Sequence, residues 1–351
     1  MKRIVGIFLS SCLFWNCSDE DNSYAPTPYQ LEIPELFSNT ILEPVIPIGN
    51  PLTEEGVELG RRLFFDPILS GDESQACASC HRPNLAFTDD RPTSIGIEGI
   101  AGHRNSMPIF NLAWNYSERF AWDGKELSLE RQALEPVENP IEMNSNWDEV
   151  INRLRSHPEY PELFNRAFPS ETLNAELVTK AIAQFERTLI SANSKFDRYS
   201  LGLESLTDQE LNGLDIFLRE DKGDCFHCHG NPNNPLWTDN DFHNNALDAT
   251  FTDLGLGEVT GDPQDYGKFR TPSLRNLQFT APYMHDGRFE TLEEVIDFYS
   301  EGLQDSPTVD PLMKNVAQGG VQLLNDDKED LIAFLLTLSD PSFISGQNPQ
   351  D

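Results

Sequence analysis

Apolar residues recur at helical spacing in four stretches of the chain, and two of these begin alike. Leu52-Thr53-Glu54-Glu55 leads into Val57, Leu59, Leu63 and Phe64, and Leu206-Thr207-Asp208-Gln209-Glu210 leads into Leu211, Leu214, Ile216, Phe217 and Leu218. Each run sets a Thr before an amphipathic pattern, which predicts an N-capped helix, and Thr207 and Glu210 have the spacing of a capping box. Both runs carry a Gly followed by an apolar-Phe pair, Gly60 with Leu63-Phe64 and Gly213 with Ile216-Phe217. The spacings differ by one residue, so the repeat is imperfect. The other two stretches are Glu171 to Ser191, with Leu173, Leu177, Ile182, Phe185 and Leu189, and Asp326 to Leu338, with Leu331, Ile332, Phe334, Leu335 and Leu338. Their stripes read as core, and each predicts a helix that closes one unit. Strand-like alternation is scarce. The expected fold is mainly α, built from two units in tandem.

The chain opens with Met1-Lys2-Arg3 and an apolar run from Ile4 to Trp15, too short to span a bilayer as a mature helix. It has no Ala-X-Ala cleavage signal and ends at Cys17, ahead of Ser18-Asp19-Glu20-Asp21-Asn22. A Cys at that position reads as a lipoprotein signal, lipidated at Cys17. Leu9-Ser10-Ser11-Cys12 is the alternative, closer to the lipidation consensus but with a very short apolar run, and an ordinary cleaved signal is the plain reading. Residues from about 18 to 50 are rich in Pro, Asn, Ser and acid, which predicts a tether leading to an extended arm. The membrane is then reached only through a lipid anchor. A formal net charge of −33 argues against nucleic acid and anionic lipid as partners and fits a basic or weakly docked redox protein, or simple solubility.

The strongest chemical signal follows each capped run. Cys77-Ala78-Ser79-Cys80-His81 and Cys225-Phe226-His227-Cys228-His229 are both Cys-X-X-Cys-His motifs. Two thiols at this spacing form thioethers to a haem, and the adjoining His coordinates the iron. A Cys₄ zinc site would leave the two histidines unexplained. A thioredoxin-like pair would want a βαβ setting. Of six cysteines the other two, Cys12 and Cys17, lie in the leader, so no thiol remains for a disulfide. Two covalently bound haem c groups are expected, on Cys77, Cys80 and His81 and on Cys225, Cys228 and His229. Their attachment requires export, which places the protein in the periplasm or cell envelope.

Further segments resemble the bacterial diheme cytochrome c peroxidases, including the branch that matures methylamine dehydrogenase. The resemblance spans about residues 50 to 340. It rests on Trp122-Asp123-Gly124, on Gln132-Ala133-Leu134-Glu135-Pro136-Val137-Glu138-Asn139-Pro140-Ile141-Glu142-Met143, and on the run Phe269 to Gly302 with Arg270-Thr271-Pro272-Ser273-Leu274-Arg275-Asn276 and Ala281-Pro282-Tyr283-Met284-His285-Asp286-Gly287. It implies two cytochrome c-like domains, residues 51–200 and 201–345, after a signal peptide (1–16) and a tether and arm (17–50). It makes the His81 haem peroxidatic and the His229 haem the point of electron entry. Splitting peroxide needs a group that carries a proton from the inner to the outer oxygen and a polar group to orient it. Glu142 and Gln132 match the family's residues for this, and Trp122 matches the tryptophan that relays electrons between the haems. Family members also hold calcium, here through the Asn105 side chain and the Thr280 and Pro282 carbonyls, a hard oxygen set.

Two positions depart from the well-known peroxidases. Where a distal His blocks the resting iron, this chain has Ile97, with His103 nearby as a substitute, so an open peroxidatic haem is expected. The sixth ligand of the second haem, Met in those enzymes, falls on Tyr299, with Met284 as the alternative; a phenolate would lower the potential. His285 is expected near the second haem, and His157 and His243 read as surface residues without partners. The expected function is reduction of hydrogen peroxide to water with electrons from a small soluble donor, a c-type cytochrome or cupredoxin. The rivals are a maturation-type oxidase acting on a protein or organic substrate, and a diheme electron carrier, which has no use for Gln132 and Glu142. Family members are often dimers, which extends the expectation to a homodimer.

Overall fold

Thr53 and Thr207 cap helices as their spacing predicts. In the computed structural model, which describes residues 24–346, the Thr53 side chain accepts from Gly56 N at the start of α1 (Glu54–Phe65). The closing stretch of the first unit folds as α2 (Ala175–Arg187), starting later than the apolar pattern because Asn174 caps it by accepting from Leu177 N. Thr207 and Glu210 form a reciprocal capping box at the head of α3 (Asp208–Leu218). The last long helix is α4 (Asn325–Leu336). Cys12 and Cys17, and with them the lipidation reading, lie outside the described residues.

α1 packs across α2 and α3 across α4, and glycine makes both crossings. A Cβ on Gly60 would fall 1.8 Å from the Ala181 carbonyl oxygen, and one on Gly213 would fall 1.9 Å from that of Asp330. No side chain fits there, so the helices meet backbone to backbone. The next neighbours are Phe185 and Phe334. The two crossings therefore correspond residue for residue: Ala181 with Asp330, Ile182 with Leu331, Phe185 with Phe334. Even the aromatic contacts match, Phe64–Phe185 and Phe217–Phe334 each having ring centroids 5.3 Å apart.

Two main apolar clusters grow around these pairs. The first holds Phe64, Phe87, Tyr160 and Phe185, and the second Phe196, Phe217, Trp237 and Phe334. Burying each such ring is worth roughly 1.5–3 kcal/mol. The ends of the described chain reach across. The segment expected to be an extended arm includes a helix, Glu35–Thr40, whose Phe37 packs edge-on to Trp114 with centroids 5.0 Å apart. A short closing helix, Pro341–Ser345, returns Phe343 to the first cluster. Among the described residues, strand is confined to one antiparallel pair, β1 (Phe242–His243) and β2 (Phe269–Arg270), with Phe242 opposite Arg270. Among the described residues, no helix is long and apolar enough to cross a membrane.

Candidate functional site

The first motif forms a one-turn helix, Cys77–Cys80, packed beside α1, with His81 at its end. His81 Nδ1 lies 2.9 Å from the Phe87 carbonyl oxygen. A carbonyl only accepts, so Nδ1 carries the hydrogen and Nε2 keeps its lone pair, the tautomer a metal needs. Burial lowers the His81 pKa, keeping the ring neutral. Cys77, Cys80 and His81 line a cavity of about 1030 Å³. Free thiols, a neutral oriented imidazole and this cavity fit a covalently attached haem.

The same cavity carries polar side chains from other segments. Gln132 ends a short helix, Leu129–Gln132, capped by Ser128. Glu142 follows the turn after a second short helix, Glu135–Glu138, where Asn139 Nδ2 donates to Glu142 Oε1 at 2.7 Å. Gln132, Glu142 and Asn139 all line the cavity. Burial, followed by the negative charge of Glu135, raises the Glu142 pKa, so this carboxyl holds its proton more tightly than a surface one. Ile97 lies directly behind it, its N–H donating to the Glu142 carbonyl at 2.9 Å, while His103 is exposed at the rim.

Trp122 joins the two halves of the chain. Its indole N–H donates to the Asn105 carbonyl at 2.8 Å, and its own carbonyl accepts from Arg270 N in β2 at 2.9 Å. The turn that presents it needs glycine next but one: Gly124 has φ +68, and a Cβ there would meet Phe242 at 2.4 Å. Asn105 also touches the segment predicted to share calcium with it, its N–H donating to the His285 carbonyl at 2.7 Å. Its side-chain amide donates to the Arg91 and Pro92 carbonyls, which leaves Oδ1 for another partner. In that segment Thr280 precedes the cis Ala281–Pro282 bond, of which Pro282 is part. Among the described residues, no three His, Cys, Asp or Glu side chains gather in metal-binding geometry.

The second motif forms the helix Phe226–His229, with Cys225 at its N-cap. Burial holds the His229 pKa down to about 4, and its Nδ1 is buried without a partner. Tyr299 lies in a π-helical turn, Phe298–Gly302, a geometry common at functional sites. Asn245 Nδ2 donates both to the Tyr299 hydroxyl at 3.0 Å and to Met284 Sδ at 3.7 Å, so both candidate ligands meet at one amide. Burial pushes the Tyr299 phenol up to about 12, with the thiols of Cys228 and Cys225 as further contributors.

Residues 54–205 match the family described as di-haem cytochrome c peroxidase. The chain is 40% identical to the methylamine utilization protein MauG of Methylorubrum extorquens, over 85% of this chain and 82% of that one. It is 36% identical to the cytochrome-c peroxidase IdrP1 of a Pseudomonas species, over 86% of each. The chain belongs to the di-haem cytochrome c peroxidase family. Within that family, a crystal structure of a MauG-like protein associated with microbial copper homeostasis aligns with a TM-score of 0.80 and 37% identity, covering 91% of this chain and 98% of that one. The fold is thus the mainly helical one of the di-haem peroxidases.

Sequence reasoning missed several neighbours in this family member. His243 is not a partnerless surface residue: its Nε2 lies 2.8 Å from Asp239 and its Nδ1 2.6 Å from Asp310. The Asp four positions before it was the available signal. His157, also expected without a partner, is half-buried: its Nδ1 accepts from Glu159 N at 3.2 Å, and its ring lies tilted against Tyr160 with centroids 4.9 Å apart. His285 is buried and stacks on Phe269, centroids 3.7 Å apart, between the two halves. Asn139, three positions before Glu142 in a turn, was legible as a local partner. Arg270 and Asn245 come from distant segments, and only the fold brings them in.

Proposed function

We propose that this protein is a peroxidase that reduces hydrogen peroxide to water at the His81 haem, with electrons entering at the His229 haem. The observation that carries this reading is the cavity lined by Gln132 and Glu142 together with Cys77, Cys80 and His81. Haem, when bound, supplies the iron centre at which peroxide and electrons meet. Glu142, held by Asn139, moves a proton between the peroxide oxygens, and Gln132 orients the substrate. Burial raises the Glu142 pKa, so this carboxyl holds a proton more readily than a surface one. Trp122, fixed at both ends by Asn105 and Arg270, carries electrons between the halves. Tyr299, or Met284 beside it, completes the second haem. Calcium bound by Asn105 and the Thr280 and Pro282 carbonyls holds the segments around Trp122 together.

The donor in this reading is a small soluble c-type cytochrome or cupredoxin, which the charge of −33 favours if its docking face is basic. We place the protein in the periplasm, anchored through Cys17, and assign it a homodimer. The two units are residues 51–200 and 201–345, and Phe196 and Tyr199 at the end of the first pack with the second cluster. A second reading, oxidation of a protein or organic substrate, draws on one observation, the phenol of Tyr299 beside the second motif. Hydrogen peroxide added to the oxidised protein, followed by stopped-flow absorbance and low-temperature electron paramagnetic resonance, tests both. An immediate reaction that turns over with a reduced donor supports the peroxidase with an open first haem. An immediate reaction with no turnover by any reduced cytochrome or cupredoxin moves the assignment to the oxidase, and two unreactive haems overturn both.

A further inference from the structure

The matched helix crossings allow the two haem units to be compared position by position. After Phe334 in α4 comes Leu335, 5% exposed and part of the second apolar cluster. After Phe185 in α2, at the corresponding place, comes Glu186, 4% exposed. A carboxyl stands where the other unit has a leucine. Glu186 lines the cavity of the first motif, one turn along from Ile182, which lines it too. Its Oε2 is buried with no hydrogen-bond partner.

The charged and titratable groups around Glu186 are few. Arg187, next on its own helix, is paired with Glu130 from the helix Leu129–Gln132 at 2.7 Å, and Glu130 also accepts from Asn50. Cys77 faces it from the motif helix and carries no charge as a thiol or thioether. α1 offers apolar Phe64 to the same cavity, which His81 and Glu142 also line. A carboxylate in such a place is poorly compensated, and the group tends to keep its proton. Burial pushes the Glu186 pKa up to about 8.

We propose that Glu186 is a proton-exchanging group linked to the haem attached at Cys77 and Cys80. When that site gains one electron from the donor, the Glu186 carboxylate takes up one proton from solvent and becomes the neutral acid. When the site gives the electron up, the proton leaves. The charge inside the cavity is then unchanged by either step, which avoids placing a lone charge in a medium of low dielectric. The leucine of the second unit provides no such exchange. Glu186 is a positioning residue for charge and takes no part in bond breaking. The inference rests on haem attachment at the first motif and holds whichever haem meets peroxide.

The test is potentiometric titration of the holoenzyme across the pH range that brackets 8, with the two haems distinguished by electron paramagnetic resonance. In the wild type, the potential of the His81 haem should fall with pH, approaching the limit of about 59 mV per tenfold change in proton concentration for a one-electron couple. Glu186→Gln, close in shape, and Glu186→Leu, the residue the second unit carries, should both flatten this dependence and leave the His229 haem unchanged. If one substitution prevents haem attachment, the other decides. A slope absent from the wild type, or persisting in the variants, overturns the proposal. Absence of peroxide turnover would instead count against the peroxidase reading and leave these potentials as they are.

Discussion

The two haem units share a frame and differ in what lines it. Each is a capped helix crossing a later helix at a glycine, with Phe64 on Phe185 in one and Phe217 on Phe334 in the other. The first unit then surrounds its motif with Gln132, Glu142, Asn139 and Glu186, in a cavity of about 1030 Å³. The second places Leu335 where the first has Glu186, and gathers Tyr299, Met284 and Asn245 near its motif. Packing fixes where a haem is held, and the polar lining decides what happens to it. One architecture can thus carry two tasks, because changes on the cavity wall leave the glycine crossing untouched.

The sharpest way to break the comparison is to remove the polar lining from one side only. Glu142→Gln should lower peroxide turnover by roughly 10²–10⁴-fold, the usual worth of a positioned acid–base group, with both haem spectra unchanged. Turnover close to wild type would remove Glu142 from proton transfer. On the other side, Tyr299→Phe should shift the absorption and potential of the second haem alone, and Met284→Leu should not. The reverse pattern would make Met284 the ligand.

A change to the shared frame should instead treat the units alike. Gly60→Ala and Gly213→Ala each drive a methyl group to within 2 Å of a backbone carbonyl, at 1.8 and 1.9 Å. Replacing glycine inside a helix returns about 1 kcal/mol of helix propensity. Forcing two packed helices apart costs about 1–3 kcal/mol or more, and here the obstacle is main chain and cannot swing aside. Both variants should therefore lower the thermal midpoint by similar amounts. A large loss in one and none in the other would show that the crossings are not equivalent.

How much of this was legible beforehand follows the same division. The caps at Thr53 and Thr207, the glycine with its apolar-Phe pair, and both haem motifs are local patterns, and each was readable from spacing. The arm helix Glu35–Thr40 was not, because its apolar residues are too few to show a period; it is held by Phe37 against Trp114, a tertiary contact. Glu142 and Gln132 were found through family resemblance, since a carboxyl and an amide ten residues apart have no signature of their own. Glu186 was overlooked although both closing stripes had been read. Only the glycine crossing sets their register, and a helical stripe alone does not say which residue faces a haem. His243 was misread because its second partner, Asp310, lies far away in sequence.

That histidine supplies the finest contrast between the units. After the first motif, Asp89 is paired with Arg82 at 2.9 Å, and an arginine stays charged at any ordinary pH. After the second, Asp239 is paired with His243, which titrates. Between Asp239 and Asp310 the His243 pKa is raised to about 9, the hydrogen bond to Asp239 being the largest cause. The folded value lies above the ordinary 6.5, so folding favours the protonated ring. The resulting stabilisation is fully present below pH 6.5 and is lost as pH rises through about 9. Allowing for solvent screening of a partly exposed cluster, it amounts to about 1–2 kcal/mol. His243→Gln should therefore be less stable than wild type at pH 6, and the gap should close by pH 10. Arg82→Gln should open a gap at the first motif that stays constant over the same range. A constant gap for His243→Gln, measured by denaturant unfolding at each pH, would mean that the ring is bound neutral and that the second unit has no pH-dependent clasp.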